Sequence, residues 1–170
     1  MTRPALLAVA TLVAAPLGAQ DHAAHAGHAQ GGAAAVHDSV MMPIKRLFDG
    51  MRAHDSTMIR SAFIEGAVMM SPVPRADRPQ RVQWSSVDAF VAQAGQPGEP
   101  WDEQLYDPVI TVDGGLAQVW VFYTFSAGTR FSHCGYDGIT VVRTTAGWKI
   151  SAIADTRRTT ECDTAGKRKV

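Results

Sequence analysis

Three short glycine-containing breaks between residues 101 and 156 constrain this fold more than any other sequence feature. They are Asp113-Gly114-Gly115, Ser126-Ala127-Gly128 and Thr144-Thr145-Ala146-Gly147. The four segments that flank them are rich in Val, Ile, Thr and aromatic residues, which suit the pleated surface of a sheet. Such segments, joined by tight glycine turns, are typical of an antiparallel meander. The stretch from Trp101 to Thr156 therefore predicts four consecutive strands.

Helical patterns precede this meander. Apolar residues from Met41 to Met51 recur at the three-and-four spacing of an amphipathic helix, which we expect to begin at Asp38 or Ser39. Pro43 is compatible with this helix only in or near its first turn. Asp55 predicts the N-cap of a second, short helix that runs through Phe63.

A short strand and a third helix complete the region before the meander. Residues 67–71 form an apolar run that predicts a strand, and Pro72, Pro74 and Pro79 argue against regular structure directly after it. Ser85, followed three residues later by Asp88, is a capping-box signal for a helix that ends at residues 95–100. Helices placed before a strand meander indicate an α+β domain, which we assign to residues 39–162.

Residues 1–19 have the composition of a secretory signal peptide. Arg3 precedes an apolar run from Ala5 to Leu17, and the small residues Gly18 and Ala19 follow it. We expect cleavage near Ala19 and a periplasmic or secreted mature protein. A retained N-terminal anchor is the alternative interpretation.

Residues 20–38 predict a flexible tether, because they are almost wholly Ala, Gly, His and Gln. His22, His25 and His28 are weak candidates for a Cu(II), Ni(II) or Zn(II) site, since imidazole is a ligand for these ions. A solvated spacer is the favoured interpretation, so we predict no metal and no other cofactor. Residues 163–170 are predicted to form a flexible basic tail.

The overall charge limits the range of partners. The chain carries 16 basic and 16 acidic residues, so no net field attracts nucleic acid or an anionic membrane. We therefore expect neither nucleic-acid binding nor membrane association after removal of the signal peptide.

Cys134 and Cys162 are the only cysteines, and an exported protein would favour a disulfide between them. If the last turn pairs Arg143 with Trp148, Cys134 falls opposite Arg157, five residues before Cys162. The bridge then requires a bulge or a chain that doubles back after Thr156. Two reduced thiols are the alternative.

The order of these elements resembles the nuclear transport factor 2-like superfamily, which includes ketosteroid isomerases and polyketide cyclases. The resemblance rests on paired N-terminal helices, an Asp-capped short helix and a meander that closes on Gly147-Trp148-Lys149-Ile150. Ser132-His133-Cys134-Gly135 and Asp155-Thr156-Arg157-Arg158 are similar to an exported bacterial subgroup without an established activity. The resemblance implies helices packed on a strongly curved antiparallel sheet, the cystatin-like cone, around an apolar pocket.

Within such a pocket, strand positions supply the candidate site residues. His133 is the one histidine in the meander and could carry a proton, or be a hydrogen-bonded structural residue. Tyr123 and Tyr106 could donate hydrogen bonds to a ligand oxygen, or simply pack. Trp101 is a further candidate for the pocket wall, with core packing as the alternative.

Two carboxylates are candidate general bases. Asp155 and Asp107 lie at strand positions, and an Asp in an apolar pocket would have a raised pKa, as acid–base chemistry requires. For Asp155 an ion pair with Arg157 or Arg158 is the competing interpretation. For Asp107, which precedes Pro108, the alternative is a turn or a strand entry.

Three functions remain open from the sequence. The favoured one is an exported, non-catalytic domain that binds a small apolar molecule of unknown identity. The second is an acid–base enzyme of the isomerase, dehydratase or cyclase type. The third is a structural domain with a filled cavity that forms a homodimer through its sheet face. An open cavity that holds a desolvated carboxylate would favour the enzyme.

Overall fold

In a computed structural model the chain is described from residue 22 to residue 170, apart from residues 74 and 76. For residues 22–31 and 33 only the backbone is described. The predicted signal peptide lies outside the described residues. The helices are α1 (His22–Ala53), α2 (Ser56–Ser61) and α3 (Val87–Ala94); the strands are β1 (Phe63–Val73), β2 (Arg81–Ser86), β3 (Trp101–Asp113), β4 (Leu116–Ala127), β5 (Arg130–Thr144) and β6 (Gly147–Asp155).

All six strands form one curved sheet with the order β2-β1-β6-β5-β4-β3. The predicted four-strand meander is confirmed, because β3, β4, β5 and β6 pair in sequence as antiparallel neighbours. The sheet is mixed rather than wholly antiparallel, since β1 lies parallel to β6. A parallel pair needs a long connection, which the chain between β1 and β6 provides. The α+β class is confirmed.

Helix α1 extends further towards the N-terminus than predicted, because it begins at His22 within the segment assigned to a tether. Alanine has the highest helix propensity of any residue, so an Ala-rich segment can continue a helix. Ser39 is inside the helix rather than at its N-cap, and its hydroxyl donates to the Val36 carbonyl oxygen at 2.7 Å. Pro43 also lies inside α1. The side chains of His22, His25 and His28 lie outside the described residues.

The caps of the other two helices follow the predicted chemistry. Asp55 is the N-cap of α2, and its carboxylate accepts a hydrogen bond from Met58 N at 2.8 Å. This helix ends at Ser61 because Phe63 already starts β1. The N-cap of α3 is Ser86, one residue later than predicted. No helix in the described part of the chain is both long and apolar enough to span a membrane.

The region around Pro72 differs most from the sequence prediction. Strand β1 continues to Val73, and β2, which was not predicted, pairs with its second half. Pro72 lies opposite Val82 of β2. The pairing of β1 with β6 ends two residues earlier, at Met70. Beyond Met70, β1 pairs with β2 on one side only. A proline is tolerated there because no strand on the other side needs a hydrogen bond from the N–H that proline lacks.

The helices cover one face of the sheet, which we call the inner face, and the core lies between them. Val40, Ile44 and Leu47 of α1 are at most 1% exposed, as are Val119 and Val121 of β4. Burying each such side chain stabilises the fold by about 1.5–3 kcal/mol before entropy is counted. On the opposite, outer face of β4, Phe122 is 3% exposed but Trp120 is 52% exposed. The outer face of β4 is therefore covered at Phe122 and open to solvent at Trp120.

The C-terminal segment, residues 157–170, folds back against the sheet. Cys134 and Arg158 exchange two backbone hydrogen bonds of 2.9 Å, and Cys134 is joined to Cys162 by a disulfide. A bulge between Ile150 and Ala152 of β6 shifts the expected partner of Cys134 from Arg157 to Arg158. The disulfide thus forms through a bulge and a returning chain.

The end of this segment pairs with the free edge of β3 rather than forming a flexible tail. Asp107 N donates to the Arg168 carbonyl oxygen, and Val170 N donates to the Leu105 carbonyl oxygen, both at 3.0 Å. Lys167 lies 4.9 Å above the ring of Phe122 on the outer face. These contacts cover part of the outer face and protect one sheet edge.

Candidate functional site

Polar side chains from four strands meet on the inner face of the sheet; we call them the inner cluster. Strand register brings them together, because residues directly opposite each other share a face. Phe125 of β4 lies opposite both Glu103 and His133, and Asp137 lies opposite Val121 and Asp155. The members of the inner cluster are Glu103, Tyr123, His133, Asp137 and Asp155.

Glu103 and Asp137 form a hydrogen-bonded carboxyl pair. Burial raises the pKa of Glu103 well above its usual range, and the neighbouring Asp137 carboxylate raises this pKa further. Burial also raises the pKa of Asp137 to about 7, while the hydrogen bond from Glu103 acts in the opposite direction. Near neutral pH, Glu103 is therefore the protonated donor and Asp137 the acceptor. Asp137 is only 3% exposed, and its Oδ2 has no hydrogen-bond partner among the described residues.

Asp155 is in a different state, although it lies directly opposite Asp137. Its Oδ2 accepts a hydrogen bond from Arg157 Nε at 2.6 Å, and its Oδ1 accepts one from the Ser71 hydroxyl. Asp155 thus forms the ion pair that was the competing interpretation, and its role as a base stays a prediction. A carboxylate held by two such hydrogen bonds is fixed in position.

Tyr123 joins Asp155 to the strand end. Its hydroxyl donates to the Thr156 carbonyl oxygen at 2.8 Å, and Asp155 Oδ2 lies 3.5 Å away. Burial raises the pKa of Tyr123, and the negative charge of Asp155 raises it further, so the phenol keeps its proton. Gly135 makes this arrangement possible, because a Cβ there would lie 1.8 Å from the Thr156 oxygen and 2.9 Å from Tyr123 Cε1.

His133 reaches the inner face through a local bulge. Phe125 pairs with His133 and Ser126 pairs with Phe131, which leaves Ser132 as the extra residue. The bulge separates His133 from Phe131, which is 47% exposed. The imidazole stacks on Phe125 with centroids 5.0 Å apart, and its Nδ1 lies 2.9 Å from the Ser132 hydroxyl. Burial lowers the pKa of His133, and the charge of Arg157 lowers it further, so the ring is neutral at pH 7.

The other predicted site residues are distributed differently. Trp101 lies near the inner cluster, where it packs against Phe125 and Phe90 with centroid distances of 5.8 and 6.3 Å. Tyr106 instead lies on the outer face against Phe122. Asp107 is exposed, has a positive φ of 49°, and binds the backbone N of Arg168 through its carboxylate. The structure therefore brings together Trp101, Tyr123, His133 and Asp155, but not Tyr106 or Asp107.

Sequence reasoning missed the carboxyl pair itself. A signal was present for Asp137, because it shares strand parity with Ile139 and Val141, both of which face the core. Glu103 shares parity with Trp101 and Leu105 in the same way. An acidic residue at an inward position of an apolar strand is costly to bury unless it is paired or protonated. That cost makes such positions candidates for function.

A cleft between α1 and β3 opens onto Glu103. Its volume is about 190 Å³, and its wall includes Lys45, Phe48 and Arg52 of α1 and Glu103 and Leu105 of β3. Glu103 is half-buried and is the residue of the carboxyl pair that lines this cleft. Within the described part of the chain, no three His, Cys, Asp or Glu side chains are grouped so that they could hold a metal ion.

Comparisons with known proteins identify this architecture. No protein-family model and no curated protein matches the sequence. Among solved structures, an NTF2-like protein with a cystatin-like fold from Novosphingobium aromaticivorans has a TM-score of 0.60 at 16% identity, over 87% of this chain and 96% of that one. An NTF2-like protein of unknown function from Shewanella baltica has a TM-score of 0.58 at 13% identity, over 74% of this chain and 95% of that one.

A third similar structure is described as a putative dehydratase from the NTF2-like family of Streptomyces avermitilis. Its TM-score is 0.56 at 16% identity, over 71% of this chain and 94% of that one. Identities this low support the shared fold and not a shared activity. The chain has the NTF2-like, cystatin-like fold.

Proposed function

We propose that this protein is an acid–base enzyme for a small molecule that enters the cleft between α1 and β3. One observation carries the proposal: a carboxyl pair with raised pKa values is buried on the inner face, and one of its two residues, Glu103, also lines the cleft. Buried carboxyl groups with displaced pKa values are costly to a fold, and such groups concentrate at catalytic sites. The proposal departs from the non-catalytic binding function that the sequence favours.

The pair can both give and receive a proton near neutral pH. In the proposed reaction, Glu103 donates its proton to a hydroxyl or carbonyl oxygen of the substrate. A proton removed from a substrate carbon returns to the pair, so the pair again holds one proton at the end of the cycle. This balance suits an isomerisation or the elimination of water. The similarity to a structure described as a putative dehydratase agrees with this class of reaction.

The remaining members of the inner cluster have supporting roles in this proposal. Tyr123 uses its single proton on the Thr156 carbonyl, and Asp155 is occupied by Arg157 and Ser71. These groups hold the strand ends in place rather than meeting the substrate. His133 is neutral and forms part of the aromatic wall with Phe125.

The occupied state of Tyr123 and Asp155 favours a second candidate, a domain that binds a small molecule without converting it. In that case the carboxyl pair serves as a buried hydrogen-bond donor and acceptor for the ligand. The two candidates differ in a measurable way, because only the enzyme exchanges protons with carbon.

The test is hydrogen–deuterium exchange at the α-carbon of cyclohexanone in D₂O, followed by NMR. We expect the protein to accelerate exchange over buffer, and E103Q to reduce the acceleration by at least about 100-fold. The matched control is D113N, which removes an exposed carboxylate at the β3–β4 turn. Equal rates for E103Q and the unchanged protein would contradict the proposal. Absence of any acceleration, with a small molecule copurifying in native mass spectrometry, would favour the binding domain.

We also propose that the protein is exported, as its first residues predict. The Cys134–Cys162 disulfide supports this, because structural disulfides persist in oxidising compartments. N-terminal sequencing of the protein recovered from the periplasm or medium should find Gln20 first. The expected homodimer through the sheet face stays a prediction that the exposed Trp120 makes worth testing.

A further inference from the structure

We propose that the groove between α1 and β3 binds an organic anion with an apolar body, such as a medium-chain carboxylate. Lys45 and Arg168 would hold the anionic head, and the apolar body would extend along α1 towards Glu103. The inference deepens the proposed function by naming its substrate class, and it rests on that function only for the orientation towards Glu103.

The groove consists of two adjoining cavities. One, of about 190 Å³, is the cleft that contains Glu103. The other, of about 280 Å³, lies further along α1 and contains Arg168, Lys169 and Pro108. Lys45 and Val170 line both cavities, so the two lie side by side. Each alone is small for a ligand site, but together they reach the size range typical of small-molecule pockets.

One face of α1 forms a wall along the whole groove. Met41, Lys45, Phe48 and Arg52 follow each other at the three-and-four spacing of a single helix face. Met41 and Lys45 line the larger cavity, and Lys45, Phe48 and Arg52 line the smaller one. Residues of β3 and the C-terminal segment form the opposite wall.

Positive charge is concentrated in the larger cavity. Lys45, Arg168 and Lys169 line it, and Asp38 is the one acidic side chain among its lining residues. In the described part of the chain, none of these three cations makes a salt bridge, whereas Arg52 in the smaller cavity pairs with Asp49 and Asp102. Lys45 and Arg168, neither of which makes a salt bridge within the described residues, favour an anion in this cavity.

The backbone fixes the position of the cations on the C-terminal segment. Arg168 and Asp107 share two hydrogen bonds, both of 3.0 Å. Asp107 N donates to the Arg168 carbonyl oxygen, and Arg168 N donates to the Asp107 carboxylate. Lys169 lies opposite Tyr106 in an antiparallel bridge. Asp107, a candidate base from the sequence, thus positions a cationic segment beside the groove.

Apolar walls explain why the ligand should carry more than a charged group. Met41, Pro108 and Ile110 line the larger cavity, and Phe48 and Leu105 line the smaller one. An inorganic anion would leave these walls in contact with water, whereas an alkyl chain would cover them. Burial of such a chain contributes about 0.8 kcal/mol per CH₂ group.

The experiment compares octanoate with octanol, which share a chain length and differ in charge, by isothermal titration calorimetry on the mature protein. We expect octanoate to bind at least about tenfold more tightly at low salt, and added NaCl to weaken octanoate binding alone. The double variant R168E/K169E should lose this preference. The matched control is R130E, a charge reversal at the exposed first residue of β5, which should retain it. Circular dichroism checks that each variant is folded.

Equal affinity for octanoate and octanol, or an octanoate affinity that R168E/K169E leaves unchanged, would overturn the inference. If the double variant does not fold, K45E on α1 gives the same test from the opposite wall. E103Q separates the two proposals, because it removes the acid but none of the cations. Octanoate binding retained in E103Q with unchanged proton exchange would refute only the enzyme; proton exchange without a charge preference would refute only the anion groove.

Discussion

Asp137 and Asp155 lie directly opposite each other on neighbouring strands, yet their surroundings differ completely. Asp155 accepts hydrogen bonds from Arg157 and Ser71, and its charge is compensated. Asp137 makes no salt bridge within the described residues; its partner is a second carboxyl group, and its pKa is raised to about 7, chiefly by burial. The comparison shows that partners, rather than position in the sheet, decide how an inward-facing acid is held.

Gly135 should give the largest effect of the four changes that test this comparison. The G135A variant places a Cβ against the Thr156 carbonyl and the Tyr123 ring, which would displace the structural side of the cluster around Asp155. We expect a loss of at least about 4 kcal/mol in the free energy of unfolding, measured with urea.

G115A is the control for this variant, because the nearest atom to its new Cβ, Arg143 Cβ, is 3.8 Å away. We expect it to change stability by no more than about 0.5 kcal/mol. A stable G135A protein with an intact Tyr123 environment would show that the close approach at Gly135 is not required.

The disulfide should rank second, because it ties the segment that carries Arg157 to β5. It joins residues that are 28 positions apart, and a loop of this length corresponds to about 3.5 kcal/mol of unfolding free energy. We expect C134A/C162A to lose about that amount in urea unfolding. Adding a phosphine reductant should lower the stability of the unchanged protein and leave the variant unaffected; equal stability of both proteins would contradict this prediction.

The sequence predicted the elements that depend on local chemistry. Asp55 caps α2, and the three glycine-containing turns separate the meander strands, because these signals act over a few residues. It did not predict β2, whose pairing with β1 is decided by tertiary contacts around Pro72.

The site was harder to predict for the same reason. Tyr123, His133 and Asp155 were candidates and do meet, but Glu103 and Asp137 become a pair only when β3, β4 and β5 are in register. Bulges at Ser132 and Ser151 set which residues face inward, and no sequence pattern fixed the positions of these bulges.

The pH dependence of stability should distinguish Asp137 directly. An Asp titrates near 3.9 in the unfolded chain but at about 7 here, so the folded state binds more protons between these pH values. Stability contributed by the protonated group is fully present below about pH 4 and is lost as the pH rises through 7. D137N removes this loss. Its free energy of unfolding relative to that of the unchanged protein should therefore rise by about 2 kcal/mol from pH 4 to pH 8. This rise is smaller than the full pKa shift of Asp137 implies, because Glu103 shares the proton.

Urea unfolding across this pH range makes the measurement, and D113N at an exposed turn is the control. The difference between D113N and the unchanged protein should not rise in this way. A D137N protein whose relative stability is flat from pH 4 to pH 8 would show that Asp137 titrates normally, and the contrast with Asp155 would then be one of partners alone.

A change at Tyr123 should give the smallest effect on stability. It tests whether Tyr123 belongs with the Asp155 ion pair or with the Glu103–Asp137 carboxyl pair. In Y123F the ring still packs against His133, but the Thr156 carbonyl oxygen loses the hydroxyl donor at 2.8 Å. We expect a loss of about 1 kcal/mol in unfolding free energy, the usual contribution of one such hydrogen bond. If Tyr123 only supports the strand end, proton exchange at cyclohexanone should persist in Y123F while E103Q abolishes it. A loss of exchange equal to that of E103Q would place the Tyr123 hydroxyl among the reacting groups, because a purely structural hydroxyl would change stability without removing the chemistry.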